Sequence, residues 1–379
     1  MKICFLVSSL NAGGAERVAT TLCNAWSRRG DNVTLIATFS GGGQPFYSVA
    51  EPVELVSLAE LAGSTGKGLS SYVKRFHSLR MALKDRKPDV VISFLPPVNV
   101  AAILATAFTK LPLIICERND PSSRSPLDIW EISAKLTFWR AGMMTVQTDA
   151  VARRIRSRYP GLRLVRTVPN PLPDAITAYE RSVPNGARKI LLFMGRLDPQ
   201  KQPAKAIDAF SQLAGRFSDW DLHVYGEGPL RADLQARIDA SKLNHRIMLK
   251  GRTESPWDVM AAADAFLMTS RHEGFPNALL EAMGLGLPCV VTDCPSGPRE
   301  MTRGGIDALL VPNGDDIALV NALERVMGDA RWRCKLGARA RESVLRRYTL
   351  SRVLDIWDAA FSEVMASERS GKIGAWRSS

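Results

Sequence analysis

The chain has 379 residues, enough for two cores of roughly 150 to 190 residues each, and its 46% apolar and 23% charged side chains exclude a disordered or fibrous protein. Fifty Lys and Arg against 38 Asp and Glu give +12; residues 1–170 hold 22 basic and 12 acidic side chains (+10), and residues 171–379 hold 28 and 26 (+2). A basic half joined to a near-neutral half predicts that the first meets something anionic, although surplus cations also serve solubility.

In chain order, strand-like apolar runs alternate with amphipathic helical stretches, as a parallel α/β architecture requires. KICFLVSSL leads through a Gly13-Gly14 turn into a helix from Ala15 to about Arg29. VTLIATF, a basic helix over Ser71 to Lys87, DVVISFL, a helix through Ala107, LPLIICE, a helix at 150–158 and a strand near 164–168 follow. The period then fails in the proline-rich stretch 171–188, which reads as an interdomain linker. A second series starts at KILLFMGRL and continues through DLHVYGEG, IMLKGR, AFLMTS, PCVVTD and ALLVP, with helices between them. Helices at 331–347 and 350–366 finish the fold, and residues 367–379 read as a frayed tail. The expected domains are therefore 1–170 and 189–350, with a C-terminal helix at 351–366 that can pack back on the first.

The longest apolar stretch, Val90 to Phe108, is broken by Pro96-Pro97 and Asn99 and predicts a strand, turn and helix instead of a bilayer span. The run Ile3 to Val7 is too short for a secretory signal. Six cysteines without a C-x-x-C pair, and only four histidines, predict reduced thiols in cytoplasm and no zinc site.

Open α/β sheets bind ligands at the carboxyl ends of their strands, so the informative residues are those just after strands. Gly13-Gly14 lies between the first strand and helix, where glycine lets backbone approach a phosphate beside free helix N–H groups; a packing turn is the plainer reading. Gly195-Arg196 and Lys201 follow KILLFM, and two cations five residues apart after a strand end can converge on one diphosphate. His272-Glu273-Gly274-Phe275-Pro276-Asn277 leads into a helix carrying Glu281, with Pro276 expected in its first turn. A carboxylate in that apolar helix is costly to bury unless it accepts good hydrogen bonds. The rival reading of the glutamates is a cap and a structural ion pair. Asp219-Trp220-Asp221 spells a D-x-D motif but precedes a strand, so loop or cap chemistry is expected of it and not metal binding.

Glu273-(x7)-Glu281, Gly195-Arg196 with Lys201, Gly13-Gly14, and VYGEGPL followed by LKGR together resemble retaining glycosyltransferase family 4. SFL, ERNDP and CPSGPREM are similar to members that build bacterial surface polysaccharides and lipid-linked oligosaccharides. The resemblance covers residues 1 to about 366 and implies a GT-B fold, two Rossmann-like doubly wound domains facing an interdomain cleft. It implies that Arg196 and Lys201 bind the donor diphosphate, Glu281 the ribose and Glu273 the donor sugar. Backbone at Phe275, Pro276 and Asn277 would complete the sugar pocket, backbone around Gly251 and Arg252 would meet the base, Gly14 would border the diphosphate, and Gly13, Gly226 and Gly274 would also bind substrate. Where many members carry a histidine in the loop after the strand LPLIICE, this chain has Glu117-Arg118-Asn119-Asp120; Arg118 can donate hydrogen bonds but cannot act as a base.

The resemblance implies a metal-independent hexosyltransferase with no cofactor, taking a nucleotide sugar (UDP-sugar preferred) and a glycan acceptor on a polyprenyl diphosphate or lipopolysaccharide core. Lys74, Arg75, Arg80, Lys84, Arg86 and Lys87, interleaved with Tyr72, Val73, Phe76, Leu79 and Leu83, make residues 71–87 a candidate contact with an anionic membrane or an ordinary surface helix. The expectation is a cytoplasmic enzyme peripheral at the inner face of the cell membrane that binds no nucleic acid. A dinucleotide-dependent oxidoreductase and a non-catalytic nucleotide-sugar-binding regulator are the rival functions.

Overall fold

A computed structural model describes residues 1–11, 13–39, 44–66, 68–118, 125, 127–179 and 188–369. Two compact units emerge: residues 1–169 with the chain from Val353 onward, and residues 170–352.

The first unit runs β1 (Lys2–Val7), α1 (Gly14–Arg28), β2 (Asn32–Ala37), β3 (Glu54–Ser57), α2 (Leu58–Leu61), α3 (Leu69–Arg86), β4 (Val90–Phe94), α4 (Pro96–Ala105) and β5 (Leu113–Cys116). It continues with α5 (Ile129–Thr137), a 3₁₀ turn (Phe138–Arg140), β6 (Met143–Val146), α6 (Asp149–Arg158) and β7 (Val165–Thr167). The strands form one parallel sheet in the order β3-β2-β1-β4-β5-β6-β7. The central strands are buried along nearly their whole length, because helices cover both faces of a parallel sheet. The chain reverses its direction of travel across the sheet between β1 and β4.

The second unit contains α7 (Asp174–Thr177), β8 (Lys189–Met194), α8 (Pro203–Leu213), β9 (Trp220–Tyr225), α9 (Arg231–Ser241), β10 (Ile247–Gly251), α10 (Pro256–Ala261) and β11 (Ala265–Met268). Then come α11 (Asn277–Gly284), β12 (Cys289–Asp293), α12 (Gly297–Met301), β13 (Leu309–Pro312), α13 (Asp316–Gly328) and α14 (Ala330–Tyr348). Its parallel sheet reads β10-β9-β8-β11-β12-β13, with the reversal between β8 and β11.

The final helix, α15 (Leu350–Arg369), returns to the first unit. Trp357 meets Trp26 edge to face at 5.7 Å, Phe361 lies 5.5 Å from the same indole, and Arg29 pairs with Asp358 at 2.7 Å.

Several expectations need correction. The stretch 171–188 is not simply a linker. Leu172 and Ile176 are fully buried in the second core, and the Leu172 N–H donates to the Tyr348 carbonyl at 2.7 Å. The prolines set the turns there without keeping the chain in solvent; residues 180–187 lie outside the described set, as do Asn119, Asp120 and the tail from 370. The helix expected through Ala107 ends at Ala105, where Phe108 takes a positive φ of 65°. The elements β3, α5 and α12 had no counterpart in the sequence reading.

Candidate functional site

The second unit builds its site at its own switch point. The loop after β8 and the loop after β11 are stitched together by side chain and backbone. Thr269 Oγ1 donates to the carbonyls of Lys201 and Gln202 at 3.0 and 2.9 Å. Gln200 Nε2 donates to the His272 carbonyl at 3.0 Å, and the Arg271 N–H to the Gln200 carbonyl at 2.7 Å. These bonds fix where Lys201 and Glu273 point. Lys201 Nζ lies 2.6 Å from Glu273 Oε1, and Ser270 Oγ donates to the same oxygen at 2.6 Å. The Glu273 side chain is 7% exposed and that of Lys201 23%, so this carboxylate is enclosed and charge-paired.

The loop after Glu273 is clamped from β12. The Glu273 N–H donates to the Pro295 carbonyl at 2.7 Å and the Ser296 N–H to the Glu273 carbonyl at 2.8 Å. A Cβ at Gly297 would press on the Gly274 carbonyl and the Pro276 ring, so only glycine fits there. Phe275 is buried edge-on against Tyr348 at 5.6 Å. Pro276 is the residue before the helix and not part of its first turn, and Asn277 opens α11, its Oδ1 accepting from Asn170 Nδ2 at 2.6 Å. Glu281 is 2% exposed on α11, and Trp257 Nε1 donates to its Oε2 at 3.1 Å. That is the hydrogen bonding a carboxylate in an apolar helix requires. Beside the pair, burial first and the Glu273 charge second push the Cys294 thiol up to about 12, so it stays protonated and unreactive at neutral pH.

Arg196 is the exposed member. Its guanidinium, 68% exposed, contacts Asp198 Oδ2 at 2.9 Å and Gln200 Oε1 at 3.2 Å. Gly195 donates to the Tyr225 carbonyl at 3.0 Å, and Gly226, at φ 139°, donates to Gly251 at 2.7 Å. A Cβ on Gly226 would collide with the Gly195 carbonyl, which explains the glycine by close strand approach. Arg252, next to Gly251, is exposed.

In the first unit Gly13 precedes α1 in extended backbone, and the Glu16 carboxylate folds over it, receiving a hydrogen bond from Ser9 Oγ at 3.3 Å. Gly14 is exposed at the first turn. Arg118 is 7% exposed, its guanidinium 4.2 Å above the Phe94 ring; burial lowers its pKa to about 10, so it remains a cation at neutral pH. Leu95, following Phe94 at the switch point, carries a positive φ of 76°. Buried Asn99 accepts from Ser93 at 2.7 Å and donates to the Cys116 carbonyl at 3.1 Å, holding β4 and β5 in register below it.

The D-x-D segment is structural. Asp219 pairs with Lys189, whose hydrogen bond lowers its pKa. Asp221 is bound by Arg188 at 2.5 Å and Arg246 at 2.9 Å; burial opposes its ionisation, and the two guanidinium groups outweigh it. Both lie at the entry of β9, away from the ligand edge of the sheet. The α3 helix is partly core. Leu79 and Leu83 are buried, and Arg75 is buried too, donating to the carbonyls of Ser71, Phe39 and Gly66.

Sequence reasoning missed Ser270, Trp257 and Asn170. Ser270 sits at the end of AFLMTS, a strand-end position that could have flagged it, whereas the partners of Trp257 and Asn170 come from distant segments.

Two doubly wound α/β units, the second with a cation–carboxylate pair at its switch point, define a GT-B protein. The model for glycosyltransferase family 4 matches residues 12–175 and that for glycosyl transferases group 1 matches residues 177–343. A Campylobacter jejuni relative, the GalNAc-alpha-(1->4)-GalNAc-alpha-(1->3)-diNAcBac-PP-undecaprenol alpha-1,4-N-acetyl-D-galactosaminyltransferase, is 29% identical over 96% of this chain and 99% of its own. The Escherichia coli lipopolysaccharide 1,6-galactosyltransferase is 32% identical over 68% and 71%. Among solved structures, Anabaena Alr3699/HepE in complex with UDP-glucose superposes with a TM-score of 0.75 at 18% identity, covering 97% of this chain and 100% of that one. The chain belongs to glycosyltransferase family 4 and is a hexosyltransferase of polysaccharide or lipopolysaccharide biosynthesis. The oxidoreductase and regulator alternatives fall with that membership.

Proposed function

We propose that the enzyme moves a hexose or N-acetylhexosamine from a nucleoside-diphosphate sugar, specifically a UDP-sugar, to a lipid-borne saccharide acceptor, with retention of configuration. The observation that carries this reading is the Lys201–Glu273 pair at the carboxyl ends of β8 and β11, with exposed Arg196 in the same loop after β8 as Lys201. Exposed Arg196 turns from Asp198 to the diphosphate, and Lys201 uses its remaining N–H donors on the same group while holding Glu273. Among the described residues, the contacts of Lys201 and Ser270 to the Glu273 carboxylate both fall on Oε1, and Oε2 is assigned to a donor-sugar hydroxyl. Glu281, oriented by Trp257, accepts from the ribose.

In the reaction the bond from the anomeric carbon to the phosphate oxygen breaks, and a bond to the acceptor oxygen forms on the same face. The acceptor's proton passes to the departing phosphate, and Arg196 and Lys201 stabilise the charge that builds there, so no metal is required. The UDP-glucose held by the Anabaena protein supports the donor class, and the undecaprenol-linked substrate in the Campylobacter relative's name supports a lipid-borne acceptor. Such an acceptor places the enzyme at the cytoplasmic face of a membrane.

A thermal-shift panel of UDP- and GDP-sugars identifies the donor, because a ligand that binds only the folded form raises Tm. The product anomer, read by NMR, then tests retention. No shift with any nucleotide sugar would refute the donor site, and an inverted product would refute the same-face mechanism.

A further inference from the structure

The helix α5 is inside out. Its buried positions are Glu131, 0% exposed, and Ala134, whereas Ile129, Ile132 and Leu136 are exposed at 69%, 45% and 69%. A surface helix of a soluble protein normally turns its polar stripe outward. Here Glu131 is held inside by Arg158 at 2.7 Å and by the Tyr159 hydroxyl at 2.7 Å, so the ion pair fixes the helix with its apolar stripe facing out.

The stripe is continued by its neighbours. Trp139, 48% exposed, follows in the 3₁₀ turn, and Phe108, 93% exposed, projects from the turn after α4 with Leu104 one turn before it. The Arg140 guanidinium lies 5.4 Å from the Trp139 ring and 5.5 Å from the Phe108 ring, which places these segments side by side. Exposed Lys110, Lys135 and Arg140 add cations to the patch.

We propose that this face, formed by α5, the 3₁₀ turn and the Phe108 turn, inserts shallowly into an anionic lipid bilayer. Apolar residues flanked by Trp and by Lys and Arg suit the boundary between headgroups and acyl chains, where the indole spans both environments and the cations meet lipid phosphate. The +10 carried by residues 1–170 favours an anionic partner over a second copy of this basic unit. The face replaces α3 as the principal contact, because α3 buries Arg75, Leu79 and Leu83 in its own unit. The inference rests on the reading of a lipid-borne acceptor, yet its test needs neither donor nor acceptor.

The experiment is co-sedimentation of the full chain with vesicles of 1:1 phosphatidylglycerol and phosphatidylethanolamine, and with phosphatidylcholine vesicles as control. The parent is expected to bind the anionic vesicles and to lose binding at high salt. The triple variant Phe108→Ser, Leu136→Ser, Trp139→Ser is expected to bind at least tenfold more weakly with Tm within a few degrees of the parent, since these side chains are exposed. Lys135→Glu and Arg140→Glu should each weaken binding about fivefold. Equal binding by parent and triple variant would overturn the proposal. So would a parent that forms a dimer in vesicle-free sedimentation which the triple variant dissociates, since a second copy would then own the face. Nucleotide-sugar thermal shifts on the same proteins report separately on the donor reading, which stands or falls without the vesicle result.

Discussion

The two units build the same doubly wound sheet but differ in what its strand ends and its surface carry. In the second, the strand ends at the switch point are rigidly cross-linked: Thr269, Gln200 and Ser270 hold Lys201 and Glu273 in one geometry, and Trp257 orients Glu281. In the first, the corresponding edge offers a buried cation stacked on Phe94 and a glycine turn already covered by Glu16, while its unusual chemistry lies outside, on the apolar face of α5. The near-neutral unit holds a preorganised polar site and the basic unit an exposed surface. Preorganisation belongs where charge must be stabilised during reaction, and an exposed face where a large partner must be met.

The largest effect that would break this contrast concerns what holds the second unit rigid. Asp307 is fully buried, and Arg303, Ser343 and Arg347 surround it. Burial alone would raise its pKa, but Arg303 and Ser343 lower it below the usual carboxylate range. Its contribution is therefore present above about pH 4 and is lost as pH falls through the lowered value. Asp307→Asn should cost about 3–5 kcal/mol in denaturant unfolding at pH 7. The variant should also show a smaller drop in stability than the parent below pH 4. A loss under 1 kcal/mol at pH 7 would mean that the cluster does not anchor the unit.

Next come the cations. Arg196→Ala and Lys201→Ala should each reduce transfer by about 10²-fold or more, each removing a charge-assisted contact to the departing diphosphate. Steady-state assays on folded variants decide this, and activity within about threefold of the parent for both would remove the diphosphate role. Arg118→Gln sharpens the comparison from the other side. If the first unit contributes one contact and not the main charge stabilisation, transfer should fall only about tenfold, with nucleoside diphosphate affinity unchanged in titration. A loss as large as that of Lys201→Ala would shift the electrostatic weight to the first unit. The smallest expected effect is none: activity should survive EDTA, and inhibition reversed by Mg²⁺ would contradict the role given to the Arg196–Lys201 pair.

Much of the fold was legible in the amino-acid sequence because parallel strands are continuous apolar runs, and the loops at their ends are where ligand-facing residues are expected. KILLFM and AFLMTS point directly at Arg196, Lys201 and Glu273. What was not legible was pairing over distance. Nothing local in HEGFPN tells that Glu273 closes on Lys201, 72 residues earlier, or that Asn170 reaches Asn277. The segment 171–179 misled because prolines mark turns whether or not Leu172 and Ile176 are buried beside them. Residues 129–137 escaped notice because a helix whose apolar stripe faces out has the same periodicity as one whose stripe faces in. Only the pairing of Glu131 with Arg158 and Tyr159 distinguishes the two.

The central claim is that the second unit divides the donor between two carboxylates, Glu281 for the nucleoside and Glu273 for the sugar. Calorimetric titration with UDP, run beside the transfer assay on Glu273→Gln and Glu281→Gln, tests it most directly. Gln in place of Glu273 keeps the shape and one acceptor oxygen while removing the charge that Lys201 pairs with. That variant should bind UDP within about threefold of the parent and lose roughly 10²-fold in transfer, whereas Glu281→Gln should weaken UDP binding about tenfold and harm the chemistry less. A Glu273→Gln enzyme that no longer binds UDP, or that transfers sugar at the parent rate, would contradict the assignment.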